Sequence, residues 1–169
     1  GGSNGFWFPV GDNTFYLSNA RLMARFGLLV QRGATWEEDV LLADTAYFNA
    51  MLTPSQELNP AYGYLWWLNG QEEYIGPDGP QTFPGAFAPD APVDVVLAAG
   101  ANGQFISISR ETGLIMIRQG DSDSESLAPI ALHNEIWRRL NGLSLPSNIS
   151  NPNLATSLGL NVYPNPTQS

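Results

Sequence analysis

The stretch Val93–Ile117, VDVVLAAGANGQFISISRETGLIMI, decides the fold class of this 169-residue chain. Val93 to Ala99 is an apolar run with strand character. Gly100-Ala101-Asn102-Gly103 follows as a tight turn, because glycine accepts backbone conformations that other residues resist. Phe105-Ile106-Ser107-Ile108-Ser109 alternates apolar and polar, the period of a half-buried strand. Arg110-Glu111-Thr112-Gly113 reads as a hairpin turn and Leu114 to Ile117 as the returning strand. Strands joined by turns this short pair antiparallel with their sequence neighbours, since a parallel pair needs a crossover of a dozen or more residues.

Working outward, helices flank these strands. Leu127 to Leu140 has Leu132, Ile136, Trp137 and Leu140 on one side, and Arg138 and Arg139 in its last turn suit the helix dipole. On the N-terminal side, Ser18 is placed to cap a helix running to about Gln31 and closing at Gly33. Leu22, Phe26, Leu29 and Val30 fall on its apolar face, with Arg21, Arg25 and Arg32 elsewhere. A second helix is expected from Asp44 to Leu52, burying Tyr47, Phe48, Met51 and Leu52, and Pro54 stops it. Tyr62 to Leu68 is rich in aromatics and reads as a strand buried on both faces. Residues 69–92, with five Pro and four Gly, form a long irregular excursion that could cover an active-site mouth. Near the start, Phe6-Trp7-Phe8 must pack somewhere, and Thr14 to Leu17 reads as a short strand. Consecutive antiparallel strands flanked by helices make the fold class α+β, an antiparallel sheet packed against helices.

Composition bounds the function. Apolar residues make up 43% and charged residues 14%, which argues for a packed core. Net charge is −9, and all seven basic residues are Arg, with no Lys in the chain. Such a surface repels phosphate backbones, so no nucleic-acid partner is expected, nor an anionic membrane. The absence of Cys excludes disulfides and thiolate metal sites, and a single His excludes multi-His metal centres. No cofactor is implied. No apolar run approaches the roughly 20 residues of a membrane-spanning helix. Asp121 to Glu125 resembles a calcium loop only loosely and reads as a solvated turn. The chain opens Gly-Gly-Ser without an initiator Met or a signal peptide, and is expected to be a processed, truncated or engineered product. From Gly142 the charge disappears and Ser, Asn, Pro and Leu dominate, so 142–160 reads as a linker.

Four stretches in order carry a family resemblance. They are Tyr16-Leu-Ser-Asn-Ala-Arg-Leu-Met-Ala-Arg-Phe-Gly-Leu-Leu29, Pro60-Ala-Tyr-Gly-Tyr-Leu-Trp-Trp-Leu-Asn-Gly70, Ala98-Ala-Gly-Ala-Asn-Gly-Gln-Phe-Ile-Ser-Ile108 and Gly113-Leu-Ile-Met-Ile-Arg-Gln-Gly120. Together they resemble the C-terminal part of β-lactamase-related serine hydrolases, near the class C, esterase and 6-aminohexanoate-oligomer hydrolase branch. The resemblance covers about residues 6–140, making 1–141 the C-terminal part of a hydrolase domain. It implies the β-lactamase/transpeptidase-like fold and hydrolysis of an ester or amide through an acyl-serine intermediate. The Ser-x-x-Lys pair and the catalytic Tyr of that family would lie in an N-terminal half of the same polypeptide. This chain has no Lys and cannot hold the pair, and without an amine or phenolate to take its proton a Ser is a poor nucleophile.

The resemblance also assigns roles. The backbone N–H of Ala101, beside Gly100, would serve an oxyanion hole; the plainer alternative is a glycine-rich turn that needs positive φ. Asn102 and Gln104 beside it would touch substrate. From the residues themselves, Tyr64 could offer a phenol and Trp66 could line a cleft, with core packing the plainer role, and at most one of Trp66 and Trp67 can do so because neighbours on a strand face opposite sides. Asn134 and Arg138 could reach a substrate carboxylate, although pairing of Arg138 with Glu135 or Glu111 is the simpler role. His133 reads as a core or interface residue. Ala98-Ala99-Gly100 stands where the family often has Lys-Thr-Gly, which favours neutral acyl groups. Two other functions stay open: a non-catalytic binding or scaffold domain, and a cell-wall D,D-peptidase. Finally, Asn161-Val-Tyr-Pro-Asn-Pro166 resembles the start of a type IX secretion sorting domain of Bacteroidetes, so 161–169 implies a secreted or cell-surface protein.

Overall fold

A computed structural model of the chain describes residues 5–143. The elements run β1 (Phe6–Val10), β2 (Asn13–Leu17), α1 (Ala20–Gln31), β3 (Thr35–Trp36), β4 (Asp39–Val40), α2 (Thr45–Met51), β5 (Trp67–Leu68), β6 (Glu73–Ile75), β7 (Thr82–Pro84), β8 (Val95–Gly100), β9 (Gln104–Ser109), β10 (Ile115–Arg118) and α3 (Ile130–Asn141). The expected linker from Ser144 onward and the sorting motif at 161–169 lie outside the described residues.

Short turns make β8, β9 and β10 an antiparallel meander, with Val95 opposite Ser109, Gly100 opposite Gln104, and Arg118 opposite Phe105. β5 adds to the far side of β8, giving the order β10-β9-β8-β5. Alternation along these strands then builds two apolar layers. Val95, Leu97, Phe105 and Trp67 face one way and pack with Phe87, Ile130 and Trp137, beneath α3 and the 69–92 segment. Val96, Ile108 and Leu68 face the other way and pack with Val30, Phe48 and Trp66, beneath α1 and α2. Leu97 and Ile108 are fully buried, each contributing roughly 1.5–3 kcal/mol. The class is therefore mixed, with antiparallel sheets and helices, as α+β requires.

Several local expectations change. Asn19 rather than Ser18 caps α1, its Oδ1 accepting the Leu22 N–H at 3.0 Å. Ser18 stays at the end of the first hairpin, where its carbonyl accepts from Gln119 Nε2 at 2.8 Å. The face α1 turns to the sheet centres on Gly27, not on Phe26, which is 47% exposed and stacks on Trp66. Glycine sets this: a Cβ there would sit 2.7 Å from Ile115 Cγ2, so only its absence lets the helix come this close. Gly33 does end the helix in a left-handed conformation, φ 68°. In α2 only Phe48 is buried, and Tyr47 faces solvent.

Tyr62 to Leu68 is not one strand. Only Trp67–Leu68 joins the sheet, and Tyr62 bridges back to Trp67. The chain doubles back because Tyr64 N–H bonds the Met51 carbonyl at 3.0 Å and Gly63 N–H bonds the Trp66 carbonyl at 2.8 Å. Leu65 takes φ 64° at the tip and is exposed. Segment 69–92 is more regular than expected, carrying the β6–β7 hairpin and a clamp at buried Asn69. The Asn69 amide donates to the carbonyls of Ala88 and Pro92, each at 3.0 Å, and accepts from Ala88 N–H at 3.1 Å. α3 begins at Ile130, three residues later than the periodicity suggests, because Asp78 Oδ1 and Asn102 N–H hold the backbone of Leu127 in the preceding loop. Phe6-Trp7-Phe8 forms an outlying hairpin with β2 in which Trp7 remains 69% exposed.

Candidate functional site

The end of β8 runs into a tight turn. Gly100 is extended (φ −96°, ψ 164°), and the turn after it is made by Asn102 (φ 60°) and Gly103 (φ 89°). Positive φ is thus required at Asn102 and Gly103, not at Gly100. The turn is anchored on several sides. Asn102 N–H donates to the Leu127 carbonyl at 3.2 Å. Gln104 Nε2 donates to the Gly120 carbonyl at 2.9 Å, and its Oε1 accepts from Gly120 N–H at 3.0 Å. Arg118 Nη1 donates to the carbonyls of Gly103 and Gly120, both at 2.7 Å.

Against this turn lies a cleft of about 430 Å³. Ala98 to Ala101 and Gln104 to Ile106 form part of it, the first hairpin adds Phe8 and Phe15 to Ser18, and Met23, Leu65, Arg118 and Gln119 complete it. The wall is mostly apolar, and among the described residues Arg118 is its only charged side chain.

Of the residues anticipated from sequence, Gly100, Ala101 and Gln104 meet at this cleft. Asn102 faces a separate depression with Asp78 and Ser124 to Leu127. Tyr64 is exposed and packs on Tyr47, ring centres 5.8 Å apart, away from the cleft. Trp66 is 5% exposed in the layer beneath α1 and α2, and Trp67 lies in the opposite layer, so the two do face apart but neither lines the cleft. Asn134 is held by Asp90, accepting its N–H at 2.8 Å and donating to its Oδ2 at 2.7 Å. Arg138 makes a bidentate pair with Glu135, both bonds 2.7 Å. Hydrogen bonds from Arg138, then from Arg139, hold the Glu135 carboxyl down at about 2. Neither Asn134 nor Arg138 reaches the cleft.

Sequence reasoning missed Arg118 at this site, and the partners that His133 finds in the core. The cue for Arg118 was a lone base in an otherwise apolar strand. The partners of His133 make a polar cluster inside the α3 layer. There His133, fully buried, lies 2.9 Å from Ser107 Oγ, and Trp137 Nε1 donates toward His133 Nε2 at 3.1 Å. Burial lowers the imidazole pKa to about 4, so it is neutral at pH 7. Its Nδ1 has no partner among the described residues. This His–Ser pair is enclosed by Phe87, Phe105 and Trp137, and His133 is not among the residues that line the cleft. It is a piece of core, as the lone His suggested.

What the cleft can do chemically follows from its groups. Ser18 and Tyr16 supply hydroxyls, but among the described residues no amine or imidazole lines the cleft to take their protons. The turn supplies backbone, and Arg118 supplies a fixed positive charge. Among the described residues no cluster of three or more His, Asp or Glu could hold a metal ion, and no helix is long and apolar enough to cross a membrane. Compared with protein families, curated proteins and solved structures, the chain matches none.

Proposed function

We propose that this chain is the sheet-bearing part of a secreted serine hydrolase that cleaves an ester or amide through an acyl-serine intermediate. The observation that carries the reading is the cleft at the end of β8, where Gly100 and Ala101 meet an apolar wall of some 430 Å³. A strand end presenting backbone to a small pocket is the geometry an oxyanion hole needs, and one such donor is worth roughly 10²–10³ in rate. The layering of an antiparallel sheet between α3 and the α1–α2 pair supports the β-lactamase/transpeptidase-like fold that the four sequence stretches resemble. Ser-x-x-Lys and the catalytic Tyr come from a further segment of the polypeptide, since this chain contains no Lys. The resemblance of the stretch from Asn161 to a sorting motif supports a protein that works outside the cell.

The test is fluorophosphonate labelling of the parent polypeptide, followed by intact mass under denaturing conditions. One label on a serine outside this chain, lost with turnover of short-chain 4-nitrophenyl esters when that serine becomes Ala, is the expected result. A parent polypeptide that carries no label and hydrolyses neither esters nor amides overturns the reading and leaves a binding domain.

A further inference from the structure

We propose that Arg118 makes this cleft a receptor for a monocarboxylate attached to an apolar body. The proposal deepens the hydrolase reading and rests on it for one point only, that the cleft receives the substrate. Arg118 is the only charged side chain among the lining residues. Its guanidinium has five N–H donors. Three are spent on uncharged acceptors, the carbonyls of Gly103 and Gly120 at 2.7 Å and of Asp121 at 2.8 Å. The Nε–H and one Nη2–H have no partner, and no carboxylate lies within ion-pair distance, among the described residues.

The position is also built rather than incidental. Gly103 permits it, because a Cβ there would sit 2.8 Å from Arg118 Nη1. The carbonyl bonds fix the guanidinium plane, so little side-chain entropy is left to lose when an anion arrives. Half-buried at the cleft and with two donors to spare, Arg118 matches a planar carboxylate that it can grip with paired hydrogen bonds. Phosphate esters and polyanions are disfavoured by the net charge of −9, including Asp121, Asp123 and Glu125 in the adjacent loop. The substrate class is then an ester or amide carrying one carboxylate, in place of the neutral acyl groups expected from Ala98-Ala99-Gly100.

The test compares phenylacetate with its neutral partner phenylacetamide on the full chain, by calorimetric titration at low salt with amide shifts recorded for Gly100, Ala101 and Gln104. A charge-assisted pair of hydrogen bonds favours the acid by about tenfold or more. Arg118→Gln is expected to abolish that preference, and Arg118→Lys to keep part of it. Equal binding of the two compounds overturns the proposal, as does a preference undiminished in folded Arg118→Gln, or shifts that leave the turn unmoved. If Arg118→Gln does not fold, the wild-type ratio with its site of perturbation still decides. The hydrolase reading fails separately, in the absence of a labelled serine, and does not alter this ratio.

Discussion

His133 shows how one buried residue can set a pH response. Burial lowers its folded pKa to about 4, against 6.5 for the free side chain. Between those values the unfolded chain binds a proton that the folded chain refuses, so stability is full above about pH 6.5 and falls as pH drops toward 4. The loss between pH 7 and pH 5 is about 2 kcal/mol. Urea midpoints of wild type and His133→Gln at the two pH values check this: the variant is less stable at pH 7 but loses the extra slope. A slope equal in both proteins would assign it to carboxylates instead. Asn69 is the second decisive residue. Asn69→Leu leaves the Ala88 N–H without its acceptor and takes one donor from the Ala88 and Pro92 carbonyls, which keep their backbone partners Ala91 and Val95, and is expected to cost about 1–3 kcal/mol by chemical denaturation. An unchanged midpoint would mean that the 69–92 segment does not depend on this clamp.

At the scale of elements, α1 meets the sheet through an absent side chain. Gly27→Val drives a branched Cβ into Ile115 Cγ2 and should destabilise by roughly 1–3 kcal/mol. Gly27→Ala is expected to lose less, since alanine recovers about 1 kcal/mol of helix propensity. A double-mutant cycle checks the contact: Ile115→Ala should cost less when combined with Gly27→Ala than in the native chain. Additive costs would show that α1 is spaced by other contacts. Gly63 plays a similar part at the bend before β5, where a side chain would overlap the Met51 carbonyl. That bend is why an aromatic run that scores as one strand becomes a turn followed by two paired residues.

At the scale of the molecule, apolar surface is unevenly shared. Phe6, Trp7, Val10, Leu17, Phe26, Val40, Leu41 and Leu65 are all exposed, and most belong to the first hairpin or to the α1–α2 side. Exposed apolar area of this extent favours association. The chain on its own is expected to self-associate as its concentration rises, and Trp7→Thr with Val10→Thr to shift it toward monomer in sedimentation velocity. Both positions lie on a hairpin outside the two core layers, so the melting temperature should hardly move. A wild-type chain that stays monomeric throughout would count against the expectation.

Much of the architecture could be read from residue order alone. The meander at Val93–Ile117 was legible because its turns are short and its alternation is local, and Asp44, Gly33 and the Trp66/Trp67 pair carry their cues within a few positions. The α+β class follows from the same local facts. The tertiary structure decided what depends on distant partners. It chose Asn19 over Ser18 as a cap and broke the Tyr62–Leu68 run, because the competing hydrogen bonds come from residues 119 and 51. It gathered Gly100, Ala101 and Gln104 at one cleft and sent Tyr64, Trp66, Asn134 and Arg138 elsewhere. It also put Arg118 beside the turn, a neighbour that only the pairing of β9 with β10 supplies. Periodicity reports which face of an element is apolar, whereas a site is made where faces from separate elements converge, and that convergence is a property of packing.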